Sequence, residues 1–225
     1  MRLRVVQHRA ATGCRIPSYA AATLILAALL VAGCGGSRST PGSTPRSTPA
    51  HLTLDKGPTP WPSPDQVPAR VEAAGLAGAS TESLSVHYHA HLDMFVNGKS
   101  EPVSASIGRE DDSFFSPLHT HATSGMIHIE APRDQRFTLG MLFTEWGVRL
   151  TRNCAGGYCR PGTHISAYID GHRTSDALPD IVLRKGEEIA LVIGHPPSHI
   201  PSHWNCRAKI NPAIENPAQC ADFSQ

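Results

Sequence analysis

Two short pieces of this chain, His87-Tyr88-His89-Ala90-His91 and His119-Thr120-His121-Ala122-Thr123-Ser124-Gly125-Met126-Ile127-His128-Ile129-Glu130, hold six of its 13 histidines. Histidines two residues apart on an extended strand share a face, with side chains roughly 6.5–7 Å apart, close enough for two imidazoles to lean onto one ion. Imidazole suits zinc and copper, and a neighbouring thioether adds affinity for Cu(I). The candidate ligands are therefore His119, His121 and His128, with Met126 and Glu130 beside them. His87, His89 and His91 are expected as partners or as a second site. Three histidines with an open position would also match a catalytic zinc site. The alternative is a polar histidine face that titrates near neutral pH. No Cys-x-x-Cys pair and no His-Glu-x-x-His helix motif occurs.

These ligands need strands to hold them. Val86, Tyr88, Ala90, Leu92, Met94 and Val96 alternate with His87, His89, His91 and Asp93, the period-2 pattern of a half-buried strand. Asn97-Gly98 then supplies a tight hairpin turn. With Val96 opposite Lys99, that hairpin sets Leu92 against Val103, Ala90 against Ala105 and Tyr88 against Ile107. The same register places His91 against Ser104 and His89 against Ser106. In the second piece, a loop over residues 122–125 would put His121 opposite Met126 and His119 opposite His128. Ile127 and Ile129 then face the core.

Residues 1–33 carry Arg2, Arg4, Arg9 and Arg15 with no acid, followed by an apolar run from Ala20 to Ala32 that is too short and too terminal for a membrane span. Val31-Ala32-Gly33-Cys34 comes next and resembles the lipobox of bacterial lipoproteins. The resemblance implies a signal peptide over 1–33, cleavage before Cys34 and a lipid on that cysteine. It places the protein on the extracytoplasmic face of a cell membrane, anchored in the bilayer by the lipid. Cleavage would leave 16 of the 20 basic residues against 19 acidic ones, a formal charge of −3. No basic excess remains to track nucleic acid. Residues 34–68 are rich in Ser, Thr, Gly and Pro, with Ser-Thr-Pro written three times, and read as a tether.

Residues 69–225 are long enough for one histidine-rich globular domain. Its four cysteines, Cys154, Cys159, Cys206 and Cys220, allow three disulfide connectivities, of which nearest-neighbour pairing is preferred. Leu139, Leu142, Phe143 and Trp146 form the stripe of an amphipathic helix, capped by Thr138 and ended by Gly147. Strands are expected at His164–Ile169 and Glu188–Ile193. The tail carries His195, His199 and His203, but Pro196, Pro197 and Pro201 forbid a regular helix there.

The order of hairpin, histidine-rich insertion, helix and two strands gives an α+β domain with a disulfide-stapled C-terminal tail. With Val96-Asn97-Gly98-Lys99, Leu139 to Gly147, Ile169-Asp170-Gly171 and Leu183 to Ile189, it resembles the β-grasp fold of the small sulfur-carrier proteins. The resemblance implies a scaffold rather than an activity. The carriers' terminal Gly-Gly is missing, because Gly194 is followed by His195-Pro196-Pro197. A β-sandwich is the alternative fold. The functional expectation is a membrane-anchored lipoprotein that binds copper or zinc for homeostasis or delivery. The alternatives are a metal-dependent enzyme with Glu130 or Asp93 as general base, and a non-metal adaptor for an envelope protein partner. No Ser-His-Asp or Cys-His arrangement is recognisable, so catalysis is the lesser expectation.

Overall fold

The computed structural model describes residues 52–223. In chain order its elements are helix α1 (Val67–Ala73), strands β1 (Val86–Val96), β2 (Lys99–Glu101), β3 (Arg109–Glu110), β4 (Phe114–Phe115), β5 (Leu118–His119) and β6 (Met126–Ala131), and helix α2 (Leu139–Trp146). Strands β7 (Cys154–Ala155), β8 (Tyr158–Cys159), β9 (Ile165–Ile169), β10 (His172–Arg173) and β11 (Glu188–Ile193) follow, then the short helix α3 (Cys206–Lys209). The architecture is mixed, mostly strand, with one seven-stranded sheet and two two-stranded ribbons, so it is not the two-sheet sandwich of the alternative expectation. The main sheet runs β10-β9-β11-β1-β6-β5, with β2 on the end of β1. β1 lies parallel to β11, and its other neighbours are antiparallel.

The period-2 pattern of β1 decides which face is packed. Ala90, Leu92 and Met94 join Ile127 and Ile129 of β6, Ile189, Leu191 and Ile193 of β11, and Leu139, Leu142, Phe143 and Trp146 of α2 in one apolar core. Each of the larger side chains contributes about 1.5–3 kcal/mol by leaving water. Thr138 caps α2 by accepting from the Met141 N–H, and Gly147 ends it at φ 80°. A residue with a side chain is strained in that conformation.

The Asn97-Gly98 turn forms with both residues at positive φ, and Val96 pairs with Lys99. The long hairpin does not form. β2 leaves β1 after the pair Met94 and Glu101, and the next N–H on that edge of β1, that of Leu92, donates to the Gly125 carbonyl instead. β6 takes over the same edge of β1, so His89 faces His128 and His91 faces Met126, not Ser106 and Ser104. Val103 and Ile107 still reach the core. His119 does pair with His128, but His121 does not meet Met126. At Thr120 the chain turns to residues 104–107: its N–H donates to the Ile107 carbonyl, and its hydroxyl donates to that of Ser104.

Both preferred disulfides are present, Cys154–Cys159 across the β7–β8 ribbon and Cys206–Cys220 in the tail. The expected signal peptide, the expected lipid-bearing Cys34 and the expected tether up to residue 51 lie outside the described residues. Residues 52–68, expected as part of a tether, include side chains packed in the core. Asp55 bridges Val148, and Trp61 is buried edge-on against Phe143 and Trp146. The Trp146 indole donates to the Pro62 carbonyl at 2.9 Å. A proline-rich stretch cannot build a ladder, but it can still bury an aromatic ring. Among the described residues, no helix is long and apolar enough to cross a membrane.

Candidate metal centre

Adjacent strands are about 4.8 Å apart, so residues in register across them stack their side chains in a row. His89 on β1, His128 on β6 and His119 on β5 form such a row, on the face away from the main core. Ring centroids are 4.7 Å apart for His89 and His128 and 5.2 Å apart for His128 and His119. His121, two residues beyond His119, folds back so that its ring is 4.4 Å from that of His128. His87 closes the other end, 5.0 Å from His89. The two sequence pieces therefore converge on a single group of five imidazoles.

Hydrogen bonds fix which ring nitrogens are free. The Nδ1–H of His119 donates to the Ser116 carbonyl at 2.9 Å, leaving the Nε2 lone pair aimed at the cluster. His89 Nδ1 lies 3.0 Å from the Asp222 carboxylate, whose oxygen also accepts the His89 backbone N–H. Its Nε2 is buried without a partner, and so is Nε2 of His128. Carboxylate or carbonyl contacts of this kind orient metal-ligating histidines and raise their basicity. His121 differs. Arg109 donates to its Nδ1 at 3.3 Å, so the His121 proton sits on Nε2, 3.0 Å from Nε2 of His119.

Burial favours the neutral form of three of the imidazoles, His121, His128 and His89. Burial lowers the pKa of His121 to about 4, helped by His119 and Arg109. Burial likewise pushes His128 well below its ordinary value, and it lowers His89 despite the opposing pull of Asp222. Neutral imidazole is the form that can ligate a metal.

Two carboxylates complete the surroundings. Glu82 Oε1 lies 3.6 Å from His119 Nε2 and 3.5 Å from His121 Nε2, and the closeness of His119 holds its pKa low. Glu130 Oε1 lies 3.4 Å from His87 Nε2 and 3.4 Å from His128 Nδ1, while burial raises its pKa. The donor atoms of His119, His121 and His128 all lie within 4.8 Å of one another, as do those of His87, His89 and Glu130. A cavity of about 280 Å³, lined by Thr81, Glu82, Ser83, Phe115, Ser116 and Glu130 among others, opens beside the group.

Two of the expected ligands lie elsewhere. His91 stacks on Trp204 at 4.2 Å and has both nitrogens occupied, Nδ1 by Glu188 at 2.7 Å and Nε2 by the Ser124 carbonyl at 2.9 Å. Met126 packs with Trp204 and the Cys206–Cys220 disulfide. Of the tail histidines, none joins a potential ligand group among the described residues. Instead the tail supplies Asp222. Sequence reasoning did not find Asp222, Glu82, Arg109 or Ser116, because each is an ordinary polar residue in its own segment and reaches the cluster only through folding. No protein-family model, curated protein or solved structure matches the chain.

Proposed function

We propose that the chain binds a transition metal, zinc or copper, through His119, His121 and His128, and serves to hold or deliver that metal on the outer face of a membrane. The observation that carries this reading is the convergence of three imidazoles, two of them, His121 and His128, held neutral by burial, whose donor atoms lie within 4.8 Å of one another, with the Nε2 of His128 unpartnered. The donor set is nitrogen and oxygen, with Met126 turned away and all four domain cysteines in disulfides. That chemistry favours Zn(II) or Cu(II) over Cu(I). The scaffold is read as β-grasp-like: a hairpin, a helix and a parallel β1–β11 pair flanked by β9, with the histidine-rich segment inserted between β2 and α2. The membrane attachment rests on the lipobox ending at Cys34.

A metal-dependent enzyme is the second reading. The cavity beside Glu82 and Glu130 favours it, since it gives a small molecule a route to an open coordination position. A pH-dependent adaptor surface is less favoured, because His89, His119 and His128 are buried rather than displayed.

Metal analysis and titration of the whole chain, alongside a His119→Ala/His121→Ala variant, test the proposal. Stoichiometric zinc or copper that disappears in the variant supports it. Wild-type binding no stronger than that of the variant overturns it.

A further inference from the structure

The three-histidine group leaves part of the cluster unused. His87, His89 and Glu130 form a second set whose donor atoms lie within 4.8 Å of one another. His89 is 2% exposed, yet its Nε2 has no partner. Burying a polar atom without a hydrogen bond costs on the order of 1–3 kcal/mol, so such a nitrogen points to something it is built to meet. Its other nitrogen is held by Asp222, which is itself fixed by Lys185 at 3.0 Å. The imidazole is thus backed by a carboxylate, the usual support of a metal-bound histidine. Glu130 also has one oxygen, Oε2, buried without a partner.

We infer that the centre takes two ions, one on His119, His121 and His128 and a second on His87, His89 and Glu130, with Glu130 lying between them. This rests on the metal-binding reading above. Glu130 Oε1 lies 3.4 Å from the Nε2 of His87 in the second set, and Glu130 also groups with His119 of the first, their donor atoms within 4.8 Å of one another. Glu82 reaches the same junction from the first set, grouping with both His119 and Glu130. One ion cannot use all of these donors. A tetrahedral zinc takes four ligands at about 2.0–2.1 Å, whereas five imidazoles and two carboxylates converge here. Two ions about 3.5–4 Å apart, sharing a carboxylate, would use them. The second ion is a divalent cation that prefers mixed imidazole and carboxylate donors, of the zinc or copper class. His87 is the most exposed of the set, its side chain 36% accessible, and offers the entry side.

Elemental analysis and titration of the whole metal-free chain with Zn(II) test this, using wild type, His87→Asn/His89→Asn and His119→Ala/His121→Ala. The expected result is two ions per wild-type chain and one in the His87/His89 variant. One ion per wild-type chain, retained in the His87/His89 variant and lost in the His119/His121 variant, overturns the second ion and leaves the first reading standing. No bound ion overturns both. Electron paramagnetic resonance of the wild type saturated with Cu(II) requires no variant to fold. A spin-coupled pair is expected, and a purely mononuclear signal integrating to one copper overturns the inference.

Discussion

Among the imidazoles, His121 alone is arranged against metal binding. Its Nδ1 accepts from Arg109, which fixes the proton on Nε2, the nitrogen that faces His119. A metal at that position must displace the proton while a guanidinium, always charged, stays beside the ring. Removing the guanidinium should therefore tighten binding. Arg109→Leu is expected to raise the metal affinity by roughly tenfold, the scale of a residue that contacts a ligand rather than the ion. Competition titration against a chelator checks this, and a loss of affinity would contradict the tautomer assignment. Glu145 is the other residue with a distinct electrostatic position. It is fully buried on α2, accepts from the Ser116 hydroxyl at 2.5 Å through Oε1, and leaves Oε2 without a partner. Burial raises its pKa well above the ordinary value, so the folded chain keeps it protonated. The unfolded chain ionises it near pH 4.3. Its contribution to stability is thus intact at lower pH and is lost as the pH climbs from there toward the folded value. Glu145→Gln should match the wild type near pH 4 and become progressively more stable than it toward neutrality, as measured by denaturant melts across that range.

At the level of elements, the cluster depends on β6 replacing β2 along the edge of β1. One ladder ends at the pair Met94 and Glu101, and the loop before Met126 begins the other. Gly125 is the hinge of that exchange. Its φ is +91°, and a Cβ there would lie 2.4 Å from the Leu92 carbonyl oxygen and 2.8 Å from His91 Nε2. Its own carbonyl accepts the Leu92 N–H at 3.0 Å, which joins the loop to β1. Gly125→Ala should cost about 2 kcal/mol or more of stability, from backbone strain and displacement of the loop. Thermal and urea melts measure it, and a change under about 0.5 kcal/mol would contradict the close approach. The strands were legible because alternation and the Asn-Gly turn are local. Their partners were not all legible. Two segments competed for one edge of β1, and the outcome is held by the Gly125 carbonyl on the Leu92 N–H and by hydrogen bonds between Thr120 and residues 104–107.

Across the whole molecule, the C-terminal tail covers the histidine face that alternation leads one to expect in water. Trp204 lies on His91, and Asp222 reaches His89. The Cys206–Cys220 bridge ties these two parts of the tail together across 14 residues of sequence. Closing a loop of that size contributes about 3 kcal/mol in the chain-entropy account. Cys206→Ala/Cys220→Ala should lose stability of about that size and weaken occupancy at His87, His89 and Glu130 more than at His119, His121 and His128, because Asp222 follows Cys220 by two residues. Melting and metal stoichiometry on the same samples separate the two effects. Equal losses at both sets would contradict the role given to Asp222.

The residue pattern alone determined the amphipathic helix with its Thr138 and Gly147 ends, the imidazole face of β1, the pairing of His119 with His128 and the preference for nearest-neighbour disulfides. Each rests on periodicity or on closeness in sequence, where geometry follows from the local backbone. Only the tertiary structure decided that the two histidine pieces meet, that His91 and Met126 stand apart from them, and that Glu82 and Asp222 join. Those contacts bridge residues 37 to 133 positions apart. Nothing in a polar residue's immediate neighbours specifies which distant imidazole it will face, because that is set by the packing of the sheet, the tail and the loops together.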